Sequence, residues 1–182
     1  MTLNAITSTP AEVTSLAADD TISYTFGRST LGQVLVAKST KGICAVLIGS
    51  DRERLVRDLR RDFPDARETD TGLAENIASV VALIEAPQTP VELTLDLRGS
   101  DFEIAVWQGL RALTAGTTMS YSALAEAIGR KGMAREVGEA CAMNRIAVAV
   151  PCHRILRKDG SISGYRWGVH RKRMLLEREG AI

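Results

Sequence analysis

The sequence is poor in the residues that bind metals or form disulfide bridges. Its 182 residues include three cysteines, Cys44, Cys141 and Cys152, and two histidines. No pair of cysteines has the Cys-x-x-Cys spacing, whereas a structural zinc site needs four ligands grouped at close spacings. We therefore expect a core that is stable without disulfide bonds, and no metal ion.

Long apolar runs are also missing. No run approaches the roughly 18 residues that cross a bilayer, and the first residues lack the charged and then apolar segments of a secretory signal. Apolar residues nevertheless make up 45% of the chain, enough for the core of one large or two small domains. We expect a cytoplasmic protein that does not contact membranes.

Charge is balanced overall but unevenly distributed. The net charge is +1, yet residues 100–182 contain 13 Lys and Arg against 8 Asp and Glu, whereas residues 1–99 contain 10 against 14. A one-sided basic surface is typical of proteins that contact phosphates. Many helical domains carry such a face for solubility alone, so the charge indicates nucleic-acid binding without establishing it.

The first half has a strand pattern. Residues 1–20 are rich in Ser, Thr, Ala and Asp without periodicity, and we expect a flexible tail there. Three strand-like runs follow at 21–26, 33–37 and 42–48, separated by Gly and Ser. They predict an antiparallel meander.

Two amphipathic helices are predicted after these strands. Residues 51–63 begin with an Asp in the N-cap position, residues 71–84 repeat the apolar spacing, and an extended segment at 91–97 leads to Gly99. The sequence therefore predicts an α+β first domain over residues 21–98.

The second half, residues 99–182, is helical in pattern. Ser120 is placed to cap one helix and Gly129 to end it in a left-handed conformation. The predicted helices cover residues 101–113, 121–128 and 133–144, and a fourth contains 174–179. The break at 129–132 between two helices has the spacing of a helix-turn-helix, a pattern that many packed helix pairs share.

The segment 147–154, Ala-Val-Ala-Val-Pro-Cys-His-Arg, is the most informative for chemistry. A cysteine reacts as its thiolate, and a neighbouring imidazole oriented by a carboxylate can remove the thiol proton directly or through a water. Adjacent strand residues point to opposite sides, so Cys152 and His153 need a turn in order to cooperate. The pair alone fits a structural cysteine beside a histidine equally well.

Further residues give this segment a family resemblance. Pro151 to Arg154, followed by Gly160 and by Ser163-Gly164-Tyr165, resembles the 6-O-alkylguanine-DNA alkyltransferases. The similarity covers the second half, including Phe102, Val106, Trp107, Tyr121, Arg135, Asn144, Leu175, Leu176, Glu179 and Gly180. Residues 164–168, Gly-Tyr-Arg-Trp-Gly, are most similar to the C-terminal part of bacterial Ada proteins. No segment resembles the four-cysteine module with which full Ada proteins repair phosphotriesters, so that activity is not implied.

The resemblance implies a fold and a reaction. It implies a ribonuclease-H-like first domain and a second domain of the winged helix-turn-helix type that binds DNA and carries the active site. The reaction is direct, irreversible transfer of a methyl or alkyl group from 6-O-alkylguanine in duplex DNA, and less well from 4-O-methylthymine, to Cys152. Cys152 would be the nucleophile, His153 a base acting through water, Glu179 the carboxylate that orients it and Asn144 a brace for the turn. We expect a single-turnover monomer that needs no cofactor.

A base must leave the duplex to reach a buried thiol, and the resemblance implies which residues assist this. Arg135 would fill the gap in the stack, and Tyr121 would push the 3′ phosphate. Gly138 and Ala142 would let the recognition helix approach DNA closely, and Arg154 would contact the phosphate backbone. We expect further phosphate contacts from Arg145, Arg171, Lys172 and Arg173.

The loop from Gly160 to Gly168 resembles the pocket of the family. We expect Tyr121, Ile155, Tyr165, Arg166 and Trp167 to form the substrate pocket, with Trp167 crowding large alkyl groups. Trp107 is expected in the core instead.

Three other functional classes compete with this hypothesis. A non-catalytic binder of alkylated DNA would lack the nucleophile, whereas Cys152 is present. A helix-turn-helix transcription factor is harder to separate, but the regulatory coupling of Ada proteins depends on the missing module. A cysteine hydrolase would need an oxyanion hole, and no such signature is visible.

Overall fold

The computed structural model describes residues 20–182. The tail expected over residues 1–20 therefore lies outside the described residues, apart from Asp20. Within this range the chain is a mixed α+β protein, as the sequence pattern predicts.

A four-stranded sheet forms the first half. Strands β1 (Ser23–Ser29), β2 (Gly32–Ser39) and β3 (Gly42–Gly49) pair as the predicted antiparallel meander. The two residues of β4 (Arg67–Glu68) join β1 in parallel, so the order is β3-β2-β1-β4. A strand of two residues is too short to show an alternating pattern, so β4 could not be predicted from the sequence.

Helices α1 (Arg52–Asp62) and α2 (Ala74–Glu85) pack against this sheet. The Asp51 carboxylate accepts from the backbone N–H of Arg54 at 3.2 Å, which confirms the predicted N-cap. Helix α2 begins three residues later than predicted. It lies directly on β1, because a Cβ placed at Gly27 would be 2.8 Å from Cγ2 of Ile77.

The outer edge of β3 connects the sheet to the second half. The backbone N–H of Val46 donates to the carbonyl of Arg145 at 2.9 Å, and Ala147 N–H donates to Val46 O at 3.0 Å. Ile43 pairs in the same way with the segment around Leu95, where an extended chain was predicted. Main-chain pairing thus fixes residues 145–147 against a rigid strand, five residues before Cys152.

The second half contains four α-helices: α3 (Asp101–Arg111), α4 (Tyr121–Ala127), α5 (Ala134–Ala142) and α6 (Val169–Arg178). Ser100 and Glu103 form a reciprocal capping box at the start of α3, and Ser120 caps α4 as predicted. Gly129 has φ of 72° after α4, the left-handed conformation expected there.

A second, two-stranded sheet was not predicted. Strand β5 (Met119–Ser120) pairs in parallel with β6 (Ile155–Leu156), which follows a 3-10 turn at Cys152–Arg154. This ladder brings the start of α4 next to the cysteine segment. Trp107 is 3% exposed and donates from Nε1 to the carbonyl of Ala140, so it is a core residue. Within residues 20–182, no helix is both long and apolar enough to span a membrane.

The pairing at Val46 yields a stability prediction. Val46 is fully buried, so Val46→Ala should lower the free energy of unfolding by about 2 kcal/mol through lost burial and the cavity left behind. The matched control is Val169→Ala, because Val169 is 48% exposed and its loss should cost under about 0.5 kcal/mol. Urea unfolding of both variants gives the comparison. Equal losses would contradict the assignment of β3 to the core.

Candidate active site

The site is built on a tight loop closed by Asn144. This residue follows α5, is 1% exposed, and uses its whole side-chain amide. Nδ2 donates to the carbonyl of Val150 at 2.9 Å and to Sγ of Cys152 at 3.2 Å, and Oδ1 accepts from Ile146 N–H at 2.8 Å. The brace that the resemblance implied is therefore present in the geometry.

The same loop holds one residue in an unfavourable conformation. Val148 has φ of 59°, in the left-handed region that a β-branched residue rarely adopts. Such a conformation costs on the order of 1–3 kcal/mol and persists only where its surroundings fix it. Here the hydrogen bonds of Asn144 and the pairing with Val46 do so, and nothing in the sequence pattern indicated it.

The 3-10 turn at Cys152–Arg154 allows the two adjacent residues to cooperate. Cys152 and His153 are 6% and 1% exposed. Nε2 of His153 lies 2.7 Å from Oε1 of Glu179, which is also buried and follows α6. The structure thus brings Cys152, His153, Glu179 and Asn144 into one buried cluster, although Glu179 is 26 residues from His153 in sequence.

Four donors surround the carboxylate of Glu179. Besides His153, Arg154 donates to both oxygens at 3.0 Å, and the backbone N–H of Gly116 donates at 3.3 Å. Burial raises the pKa of this carboxyl, but the hydrogen bonds from His153 and Arg154 outweigh burial and lower the pKa to about 2. Because Glu179 stays ionised, its carboxylate accepts a hydrogen bond from the Nε2–H group of His153. The imidazole then has Nδ1 as its proton acceptor, and Nδ1 has no protein partner among residues 20–182.

Burial keeps both reactive groups neutral at rest. It raises the pKa of the Cys152 thiol, opposed by the Asn144 hydrogen bond and the positive charge of Lys172. It also lowers the pKa of His153, against the effect of Glu179. A neutral imidazole has a free ring nitrogen that can accept the proton of a neighbouring thiol. The thiol can therefore lose its proton at the moment when its sulfur reacts.

A cavity of about 330 Å³ opens onto the cysteine. Its lining contains Cys152 and five of the residues predicted for the pocket or the DNA-binding surface. The full lining is Tyr121, Gly138, Cys141, Ala142, Cys152, Gly164, Tyr165 and Arg166. The cavity therefore lies between helices α4 and α5 and the loop before α6.

The side chains of two residues predicted for the pocket do not line this cavity. Trp167 is 6% exposed, packs edge-on against Tyr165 at 5.1 Å, and lines a different cavity beside the β3–α1 connection. The crowding of large alkyl groups by Trp167 stays a prediction. Ile155 is fully buried, and only its backbone carbonyl faces this region, where it accepts from Lys172. Both side chains are part of the hydrophobic core.

The predicted phosphate contact of Arg154 is contradicted by its surroundings. Its side chain is 12% exposed, and its guanidinium bonds to Glu179 and to the carbonyl of Leu113. Arg154 is part of the carboxylate cluster instead. The number of charged residues in the sequence could not show this, because it does not distinguish an arginine in a buried ion pair from an exposed one.

The other residues predicted to contact phosphates differ in how exposed their side chains are. Lys172 is 0% exposed, so that prediction is wrong. Arg145 forms an ion pair with Asp62 and donates to Arg98 O, and Arg171 donates to the carbonyls of Leu31 and Trp167. Arg173 is exposed on α6.

The surface beside the cavity is the predicted recognition helix α5. Arg135 is exposed and forms an ion pair with Glu139 at 3.2 Å, and Ala142 is exposed about two turns further on. Sequence reasoning missed Arg157 and Lys158, which are exposed and line the adjoining depression together with Tyr121 and Arg135. Their position in a basic loop after β6 was the available signal.

Comparisons with known proteins agree with this geometry. Residues 101–181 match the family model described as "6-O-methylguanine DNA methyltransferase, DNA binding domain". The Escherichia coli "Bifunctional transcriptional activator/DNA repair enzyme Ada" is 44% identical over 160 residues, which are 87% of this chain and 45% of that protein. A methylated-DNA–protein-cysteine methyltransferase of Mycolicibacterium paratuberculosis is 37% identical over 135 residues, 70% of this chain and 82% of that protein.

A solved structure has the same overall arrangement. The Mycobacterium tuberculosis OGT, crystallised in complex with DNA, superposes with a TM-score of 0.76 at 31% identity, covering 87% of this chain and 92% of that one. The fold and the site together define a mixed α+β protein with a buried cysteine, histidine and glutamate cluster. The chain belongs to the 6-O-methylguanine DNA methyltransferase family. It spans about half the length of the curated relatives that it matches first.

The carboxylate cluster yields a prediction for acid. The pKa of Glu179 is about 2 in the folded protein, against an ordinary value of 4.5, so its charge stabilises the fold above about pH 4.5. This contribution, about 3 kcal/mol, should be lost as the pH falls from 4.5 to 2. Glu179→Gln should therefore be less stable at pH 7 and lose less stability in that window, measured by urea unfolding at each pH. Glu75→Gln, at an exposed position, is the control and should follow the wild type. Parallel curves for Glu179→Gln and wild type would contradict the assignment.

Proposed function

We propose that this protein repairs DNA by transferring an alkyl group from the 6-oxygen of guanine to its own Cys152. The observation that carries the proposal is the position of Cys152, which lines a 330 Å³ cavity and has the buried His153–Glu179 pair beside it. The family membership supports the same reaction. The relatives' names state a methylated-DNA substrate and a protein cysteine as acceptor for those proteins.

The reaction balances without a further reactant. Sγ of Cys152 forms a bond to the alkyl carbon while the bond between that carbon and the guanine 6-oxygen breaks. The thiol proton passes through water to Nδ1 of His153, and one proton returns through water to the departing guanine, so that the imidazole is neutral again and the proton count closes. Glu179 keeps the imidazole in the required tautomer and stabilises its charged form. The product is a thioether with no leaving route, so each molecule reacts once and no cofactor is required.

DNA would bind across α4 and α5, a helix pair with helix-turn-helix spacing. In this proposal Tyr121 pushes the 3′ phosphate of the extruded nucleotide, and Arg135 fills the gap that this nucleotide leaves in the base stack. Gly138 and Ala142 allow helix α5 to approach the DNA closely. Arg157 and Lys158 extend the basic surface toward the phosphates. The structure of the M. tuberculosis relative with DNA supports this partner.

The proposal also covers the domain types, the oligomeric state, the location and a second substrate. The first part, residues 21–98, would be a ribonuclease-H-like domain, and residues 99–182 a winged helix-turn-helix domain. The protein would act as a monomer in the cytoplasm, where Cys152 stays reduced. It would also accept 4-O-methylthymine, with lower efficiency.

The stoichiometry of transfer tests the reaction. Incubation with excess methylated duplex should add about one methyl group per protein, on the peptide that contains Cys152, as read by intact-protein and peptide mass spectrometry. Cys152→Ala should abolish transfer and keep DNA binding. Cys44→Ala is the matched control, since Cys44 lies in β3 and burial raises its pKa to about 11. Repeated turnover, or methylation of Cys152→Ala, would refute the proposal.

The role of Arg135 is tested by comparing two substrates. Extruding a base costs a few kcal/mol, so loss of a side chain that fills the gap should slow duplex repair by about thirtyfold, equivalent to about 2 kcal/mol. Arg135→Ala should leave transfer from the free alkylated base nearly unchanged, because nothing has to be unstacked. Arg57→Ala, at an exposed arginine of α1, should react with both substrates like wild type. An equal slowing of both substrates by Arg135→Ala would show that Arg135 supports the fold or the thiolate instead.

A further inference from the structure

Glu179 stands at the end of a helix, although its carboxylate needs a fixed position. It directly follows α6, and its Oε1 lies 2.7 Å from Nε2 of His153, where it holds the imidazole in one tautomer. The last carbonyl groups of a helix have no donor within the helix, and helix ends are less firmly fixed than helix middles. The placement of the His153–Glu179 pair therefore depends on the groups that hold residues 178 and 179.

Arg178 is bonded to the first half of the chain. Its Nη1 donates to the carbonyl of Ile84 at 2.7 Å and lies 3.4 Å from Oε2 of Glu85, and its Nη2 donates to Oγ1 of Thr30 at 2.9 Å. Ile84 and Glu85 end α2, where a helix presents unpaired carbonyls and the negative end of its dipole. The guanidinium of Arg178 satisfies both features of this helix end.

The carboxylate of Glu85 joins this contact to the β1–β2 turn. Oε1 of Glu85 accepts from the backbone N–H of Thr30 at 2.7 Å and from its hydroxyl at 3.0 Å. The hydroxyl thus accepts from Arg178 while it donates to Glu85. Hydrogen bonds with a charged partner are about twice as strong as neutral ones. The end of α2, the β1–β2 turn and the end of α6 therefore meet in one charged network.

A further bond from the segment after α2 reaches Glu179 itself. Nε2 of Gln88 donates to the backbone carbonyl of Glu179 at 3.0 Å. The main chain of Gly116 lies against the same carbonyl, since a Cβ built on Gly116 would be 3.0 Å from this oxygen. Residues 84–88 therefore contact two successive residues at the end of α6, Arg178 through its side chain and Glu179 through its main chain.

We propose that residues 84–88 are a clamp for Glu179, in which Arg178 and Gln88 are positioning residues that keep the carboxylate against His153. This inference rests on the proposed alkyl transfer, in which Nδ1 of His153 receives the thiol proton. Catalytic groups must be held within about 0.5 Å of the productive geometry by the groups behind them. His153 belongs to the second half and the clamp to the first, so contact between the halves sets the orientation of the base.

The rate of methyl transfer tests the clamp in single turnover with saturating methylated duplex. Arg178→Met should slow transfer about tenfold, because a displacement of about 1 Å in a site can cost about a hundredfold. Arg178→Lys keeps a cation that can donate to Ile84 and Thr30, so it should recover most of this loss. Gln88→Ala removes a neutral hydrogen bond and should have a smaller effect.

Arg98→Met is the matched control. The side chain of Arg98 is 30% exposed against 23% for Arg178, and its guanidinium bonds to Asp20 and Asp96 instead of the end of α2. This variant should lose a comparable ion pair and keep the wild-type rate. A rate for Arg98→Met as low as that of Arg178→Met would overturn the clamp, because the loss of any ion pair would then suffice.

The tautomer of His153 is a readout that a purely structural role of Arg178 would leave unchanged. Nitrogen chemical shifts of the imidazole at pH 7 should show the proton on Nε2 in wild type and a mixture of tautomers in Arg178→Met. His170, the second of the two histidines, is exposed in the first turn of α6 and should give the same signals in both proteins.

Two results would overturn the inference: a slower Arg178→Met with an unchanged His153 tautomer, or a folded Arg178→Met with the wild-type rate. If Arg178→Met does not fold, Gln88→Ala carries the same comparison, because Gln88 is exposed. A wild-type protein that transfers no methyl group would overturn the proposed function instead, and the tautomer measurement would still test the clamp.

Discussion

The amide of Asn144 is the constraint on which the site depends. One planar group holds the N–H of Ile146, the carbonyl of Val150 and the sulfur of Cys152, so it fixes three points of a loop in a single orientation. An aspartate could not donate to the carbonyl or the sulfur, and a leucine would leave the buried N–H of Ile146 without a partner. The left-handed Val148 shows that this loop is not the backbone's preferred path. Its cost is offset by these bonds and by the pairing with Val46 at the edge of β3.

Helix α6 supplies the second set of constraints. Lys172 and Glu179 are seven residues apart, about two helical turns, so they leave α6 on the same side. The lysine reaches the carbonyl of Ile155 and Ser163, and the carboxylate reaches His153 and Arg154. A charge of each sign is therefore buried on either side of the cysteine turn. The position of α6 therefore sets both the contact of Glu179 with His153 and the contacts of Lys172 with Ile155 and Ser163.

The basic excess of the second half has two different physical roles. Arg145, Arg154, Arg171 and Arg178 donate to main-chain carbonyls or pair with acids that lie far away in sequence. Their stems and guanidinium groups join segments of the chain. Arg135, Arg157 and Lys158 are exposed beside the cavity, and their side chains contact only residues close by in sequence or none, so in the proposed function they are the ones that meet the phosphates. The composition counts all of these basic residues together. Only their burial in the folded protein distinguishes the residues that join segments from the exposed ones.

The sequence by itself determined much of the local structure and pointed to the proposed reactive group, Cys152. Alternating and helical spacings, the Asp51 and Ser120 caps and the Pro-Cys-His-Arg segment all act over a few residues, so they can be recognised in a linear pattern. The family resemblance added Asn144 and Glu179, whose partners lie up to 26 residues away. Tertiary structure decided the rest. The strand β4, the β5–β6 ladder, the burial of Lys172, the capture of Arg154 by Glu179 and the inward packing of Trp167 depend on contacts between distant segments. Local propensity contains no term for such contacts, because the energy of a side chain is set by the groups that fold against it.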